Sequence, residues 1–143
     1  MPESMRLNNE RRRAQEAYFC AQQASAETYA EEYKALVKKI PMRIKSSGLC
    51  ATIAFMFAKA SDDKQHRLLY TQLDTWLRKT GYVPPQLKQL AQAVIFLGNA
   101  EYRAVTNETL AFFAWLRRFS DGLIEKKTVT SHVAETNSET ISG

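Results

Sequence analysis

Apolar residues recur along this chain at helical spacing, and no segment alternates with the two-residue period of a half-buried strand. From Arg6 to about Gln23, Ala14, Ala17, Tyr18 and Ala21 share one face, which predicts a first amphipathic helix. Ser25 is placed to N-cap the next one. There Tyr29, Tyr33, Leu36, Val37, Ile40 and Ile44 keep a single helical phase across Pro41. One helix that kinks at the proline is therefore expected, rather than two unrelated ones. Ser46-Ser47-Gly48 should end it. Leu49 to Lys59 is apolar almost all round, which predicts a helix central in the core. Ser61-Asp62-Asp63 reads as a cap with acids in the first turn of a fourth helix, whose buried stripe is Leu69, Tyr70, Leu73, Trp76 and Leu77. Gly81 should stop it, and Val83-Pro84-Pro85 makes a rigid connector. Leu87, Leu90, Ala91, Val94 and Ile95 mark a fifth helix closed by Gly98. A sixth runs from about Glu101 to Lys127, with Thr106-Asn107 as the place where a break would fall. Its Tyr102, Val105, Phe112, Phe113, Leu116, Phe119 and Leu123 should face inward.

Beyond Thr128 the sequence turns to Thr, Ser and Glu with few large apolar groups, too little to balance the entropy of ordering. The expected fold is all-α: one compact bundle of about six helices over residues 1–127, followed by a polar, flexible tail over 128–143. The 143 residues suffice for one core without a metal or disulfide staple. The longest apolar run, Leu49 to Ala58, falls far short of the roughly 20 residues of a membrane span. The N-terminal stretch lacks an apolar h-region, so no signal peptide is expected. Cys20 and Cys50 sit inside helical patterns without a C-x-x-C spacing, which fits a reduced, cytoplasmic protein.

Charge supplies the first pointer to a partner. Lys and Arg number 20 against 15 Asp and Glu, a net +5. The last 16 residues hold only Glu135 and Glu139 among charged side chains, so the surplus lies entirely in the body. A basic body suits a polyanion, although solubility alone can also account for such a balance.

Catalysis would need a nucleophile with its base, clustered carboxylates or metal ligands at fixed spacing. His132 lies in the polar tail. His66 lies on the buried stripe of the fourth helix, where a core or boundary histidine is the ordinary reading. Asp62, Asp63 and His66 resemble a metal cluster only superficially, because acids at a helix start are explained by its dipole. Glu27, Glu31 and Glu32 read as a solvated face. There is no Gly-rich phosphate loop, nucleophile elbow, zincin motif or zinc-spaced cysteine pair. No catalytic residue, cofactor or metal is expected.

The cations are better organised. On the second helix Lys34, Lys38 and Lys45 fall on one flank of the apolar stripe, and Lys39 and Arg43 on the other. Arg117-Arg118 on the last helix, Arg78-Lys79 on the fourth and Arg11-Arg12-Arg13 near the N-terminus add further clusters. Phosphates require only such cations at suitable separations. For the Lys38–Lys45 group, phosphate contact and plain solvation stand side by side. Arg78 has a structural reading through its i,i+4 partner Asp74 and the helix dipole, and Arg117 could pair with Asp121. Most aromatics lie on the inward stripes, so packing is their default. Met42, Leu68 and Trp115 depart from those stripes, as an interface or a wide buried face would require.

Order and spacing carry more than composition. Arg13-Ala14-xx-Ala17-Tyr18 is followed by Glu32 to Pro41 and by Ser47-Gly48-Leu49 with an Ala-Phe helix. Then come Leu69-Tyr70-xx-Leu73-xx-Trp76-Leu77 and Tyr102-Arg103-xx-Thr106-x-Glu108-x-Leu110-Ala111-Phe112-xx-Trp115-Leu116-Arg117-Arg118-Phe119. From about Arg6 to Ile124 this succession resembles the small, all-helical fifth subunit of type III-B CRISPR Cmr effector complexes; the tail after Lys127 matches no part of that pattern. The resemblance implies a non-catalytic protein that stacks with copies of itself into an inner filament. That filament would hold target RNA against the guide-RNA ribonucleoprotein and abut the backbone subunits and the large polymerase/cyclase subunit. On this view Lys34, Lys38, Lys39, Arg43, Lys45, Arg117 and Arg118 are the RNA-binding candidates, contacting backbone rather than bases because base pairing already supplies specificity. A helical adaptor joining only proteins is the first rival. A small hydrolase or nuclease using Asp62, Asp63 and His66 is the second.

Overall fold

The structure, a computed structural model, describes the backbone of residues 3–142 and the side chains of residues 8–124. Among them it contains six helices and no strand: α1 Glu3–Ser25, α2 Ala30–Ser47, α3 Leu49–Lys59, α4 Lys64–Lys79, α5 Leu90–Ile95 and α6 Asn99–Ser142. The all-α bundle expected from periodicity is the observed architecture. The side chains of the stretch 128–143, expected as a tail, lie outside those described.

Helix α6 is the spine. Helices α1 and α2 pack along it, α3 and α4 pack on α2 and on each other, and the short α5 leans on α3. The core joins Val105, Phe112, Phe113 and Leu116 of α6 to Tyr33, Val37 and Ile40 of α2, with Leu69, Leu73 and Leu77 entering from α4. Trp76 stacks on Phe112 at 5.9 Å between ring centroids. A buried polar chain threads this core. Tyr33 donates to Gln72 Oε1 at 2.5 Å, and Gln72 Nε2 donates to the Cys20 carbonyl at 3.1 Å. Each polar atom is thereby satisfied where burial would otherwise be costly.

Helix α2 runs unbroken through Pro41. It ends at Gly48, whose φ of +91° only glycine adopts without strain and whose N–H reaches the Ile44 carbonyl. Helix α3 starts at the next residue, and its Cys50 N–H donates to Tyr102 Oη of α6 at 3.0 Å.

Several local expectations are corrected. Ser25 closes α1, its hydroxyl donating to the Gln22 carbonyl, while the N-cap position of α2 is Tyr29. Tyr18 is 39% exposed; Ala17, Cys20, Ala21 and Ala24 form the buried face of α1. Helix α3 is not central, since only Leu49, Thr52, Ile53 and Met56 are buried and Phe57 is exposed. Asp62 and Asp63 precede α4 rather than occupying its first turn, and Asp63 stands at the N-cap position without a side-chain cap bond. Helix α5 has six residues, and its Ile95 points outward. No break occurs at Thr106, whose hydroxyl donates to the Tyr102 carbonyl and so stays compatible with a continuous helix.

Candidate nucleic-acid interface

The cations divide first by whether the protein already neutralises them. Arg13 of α1 makes a bidentate pair with Glu108 of α6, at 2.6 and 2.9 Å, and Trp76 Nε1 of α4 donates to the same carboxylate at 3.1 Å. Glu108 is 8% exposed, so this node ties three helices together from inside. The Arg13 guanidinium is held above the ordinary arginine value, chiefly by the hydrogen bond to Glu108. Arg78 pairs with Asp74 at 2.8 Å and donates to the carbonyls of Pro84, Leu87 and Lys88, pinning the connector to α5. The structural reading of Arg78 is therefore correct. Lys79 meets Glu16 at 3.0 Å. Arg67 donates to the carbonyls of Ala60 and Ser61 and braces the α3–α4 turn.

The α2 cations are disposed differently. Lys34 is buried, with 9% exposure, and offers little surface to a phosphate. Lys38 faces α6 and lies 3.7 Å from Asp121. Next to that pair, Pro41 and Lys45 of α2 and Leu110, Phe113, Arg117 and Arg118 of α6 line a groove of about 400 Å³. Arg118 lies over the Trp115 ring, 5.4 Å from its centroid. Four of the seven RNA-binding candidates, Lys38, Lys45, Arg117 and Arg118, thus meet at the α2–α6 seam.

Lys39 and Arg43 open onto a second cleft, of about 390 Å³, between α2, α3 and α4. The Arg43 guanidinium lies 3.7 Å from the Phe55 ring centroid. Lys59 of α3, which sequence reasoning did not single out, joins them with His66 and Asp63. His66 Nδ1 is 3.5 Å from Asp63 Oδ2 and makes no hydrogen bond. Burial lowers the His66 pKa; Asp63 opposes that shift, and Lys59, Arg43 and Lys39 add to it. Asp62 stands in the turn after α3, its N–H bonded to the Lys59 carbonyl. Among the described residues no group of three His, Cys, Asp or Glu could hold a metal ion. The buried Cys20 thiol is pushed up to about 12 by burial, so it stays protonated at neutral pH.

Sequence reasoning also missed the Glu108 node. Arg13, Trp76 and Glu108 each stood in a different one of the segments that carried the family resemblance, and that shared membership was the available signal.

Together these features define a small all-helical protein whose helix α2 has on each flank a cleft where cations outnumber carboxylates. A family model described as CRISPR-associated protein (Cas_Cmr5) matches residues 9–123. The chain belongs to this Cmr5 family of CRISPR-associated proteins. It is similar to the CRISPR system Cmr subunit Cmr5 of Thermus thermophilus, with 30% identity over 113 residues covering 79% of this chain and 93% of that protein. The crystal structure of a CRISPR-associated Cmr5 family protein from Thermus thermophilus matches with a TM-score of 0.65 at 26% identity, over 78% of this chain and 93% of that one. No helix among the described residues is long and apolar enough to cross a membrane.

Proposed function

We propose that this chain is the non-catalytic small subunit of a cytoplasmic type III-B CRISPR Cmr effector complex. In this reading it stacks with copies of itself beside the backbone and polymerase/cyclase subunits and holds target RNA along the guide. The carrying observation is the α2–α6 groove, where Lys45, Arg117 and Arg118 converge from sequence positions some seventy apart and meet no carboxylate ion pair among the described residues. Binding there is to phosphates, because guide pairing supplies the specificity. Each copy holds only a few of them, and repetition along a filament raises affinity through effective concentration.

The test is target-RNA binding by the assembled complex over a range of salt. The triple variant Lys45→Ala, Arg117→Ala, Arg118→Ala should weaken binding and flatten the logarithmic salt slope by about 0.7 to 0.9 for each phosphate that a copy ceases to engage. Unchanged affinity and slope with an intact fold would remove the groove from the RNA path. An adaptor role without RNA contact draws on a different observation. Phe57 of α3, with Ile95 and Phe96 at the end of the neighbouring α5, leaves large apolar side chains exposed. RNA crosslinks confined to other subunits would favour that reading.

A further inference from the structure

The cleft between α2, α3 and α4 has a chemistry that the groove lacks. Three cations from two helices, Lys39, Arg43 and Lys59, line one concavity together with the carboxylates of Glu32 and Asp63 and the apolar side chains of Leu36, Ile40 and Phe55. None of the three is in an ion pair among the described residues, whereas Arg13, Lys38, Arg78 and Lys79 each are. The Arg43 guanidinium carbon lies over the Phe55 ring, a contact that holds the side chain at the cleft while its N–H groups stay available to an oxyanion. At the inner wall stands His66, 8% exposed, whose Nδ1 lacks a hydrogen-bond partner. The sole polar approach to that atom among the described residues is Asp63 Oδ2 at 3.5 Å, and the unpaired cations stand beside it, so the cleft suits a group that supplies both charge and acceptors. The volume, about 390 Å³, lies in the range of small-ligand pockets.

We propose that this cleft binds a terminal phosphate monoester, carried by a nucleotide or by the phosphorylated end of an RNA, with Lys39, Arg43 and Lys59 holding the phosphate and Leu36, Ile40 and Phe55 of the lining receiving the attached nucleoside. A monoester near neutral pH carries close to two charges, where a backbone diester carries one. Lys39, Arg43 and Lys59 outnumber Glu32 and Asp63 on the lining of a concavity, and a doubly charged end group draws more from that surplus than a diester does; an open seam suits a passing diester chain. The two sites have different walls, so loss of either leaves the other intact.

The full-length protein, labelled with nitrogen-15, is titrated with adenosine 5′-monophosphate, adenosine, and a hexaribonucleotide bearing either a 5′-phosphate or a 5′-hydroxyl. Saturating shifts are expected in the amides of Lys39, Arg43, Phe55 and Lys59 with the phosphorylated probes, and at least about tenfold weaker binding there with the hydroxyl probes. Saturation by the mononucleotide alone assigns a free nucleotide as the ligand; saturation by the phosphorylated hexamer alone assigns an RNA end; both outcomes uphold the site. The variant Arg43→Gln with Lys59→Gln, both on exposed side chains, should weaken binding by about tenfold or more while leaving the unfolding midpoint nearly unmoved at about pH 8, above the His66 titration. The His66 ring should titrate at higher pH when ligand is bound. The phosphate then faces it in addition to Lys39, Arg43 and Glu32 of α2, Lys59 of α3 and Asp63 before α4. The proposal is overturned by equal binding of the two hexamers, by binding that survives the double variant, or by no cleft shift at millimolar nucleotide and oligomer.

Discussion

The end of the bundle where α1, α4 and α6 meet and the two flanks of α2 use the same residue types to opposite ends. At the first, Arg13, Arg78 and Lys79 each find a carboxylate, and Arg78 also satisfies three carbonyls. Along α2, Lys39, Arg43 and Lys45 project into clefts and have no ion pair among the described residues. A cation that the protein already neutralises has less to offer an external anion, and where it is part-buried, as Arg13 and Arg78 are, removing it damages the fold. An unpaired cation on a cleft wall costs the fold little and is available for a ligand. Charge counting along a sequence cannot separate the two; the position of the nearest carboxylate does.

The sharpest break of this contrast is Glu108→Ala. It leaves the Arg13 guanidinium and the Trp76 N–H without their acceptor between α1, α4 and α6. Leaving a half-buried guanidinium and a buried N–H without their acceptor costs about 2 kcal/mol, and that loss should appear in the urea unfolding midpoint. Arg13→Ala combined with Glu108→Ala should cost less than the sum of the single changes, because neither charge is then stranded. Additive costs would mean that the pair is not the unit holding the three helices.

Next in size, Arg78→Ala should destabilise by about 1 to 2 kcal/mol, since its donors hold the 84–88 connector. It should leave the salt slope of RNA binding unaltered. Lys45→Ala, Arg117→Ala and Arg118→Ala, in contrast, should each stay within about 0.5 kcal/mol in stability while changing the slope. If Arg78→Ala flattened the slope as well, the division between structural and ligand-facing cations would fail.

How far the sequence disclosed this contrast depends on the range of the interaction. Periodicity identified α2 and α4 because their stripes repeat every turn, and Pro41 did not disturb the phase. The structural role of Arg78 was visible because Asp74 is four residues away. Lys38/Lys45 and Lys39/Arg43 separated onto two flanks by angle alone. What walls each flank did not emerge, because α6, α3 and α4 come from distant sequence. Glu108 lies 95 residues from Arg13, so no local pattern joined them. The apolar surround of α3 misled for a related reason: composition shows that a face is able to be buried, while the helices packed around it decide whether it is. Ser25 misled because a serine between two helices suits the end of one as well as the start of the next.

His66 gives the smallest and most discriminating test, because it couples stability to the unpaired cations. Burial is the main cause of its lowered pKa, Lys59, Arg43 and Lys39 act in the same direction, and Asp63 opposes them. Below the ordinary histidine value of 6.5, the unfolded chain therefore binds more protons than the folded one. The stability contributed by neutral His66 is complete above that pH and is lost as pH falls through the lower folded value. Urea midpoints measured across this window, above the range where carboxylates titrate, should decline in the native protein and decline less in His66→Gln. Lys59→Gln removes one cation without touching the histidine, so it should move the His66 titration back toward 6.5 and shrink the same decline. An equal decline in all three proteins would show that the cleft cations do not act on His66, and α2 would then carry charge on that flank without a shared electrostatic site.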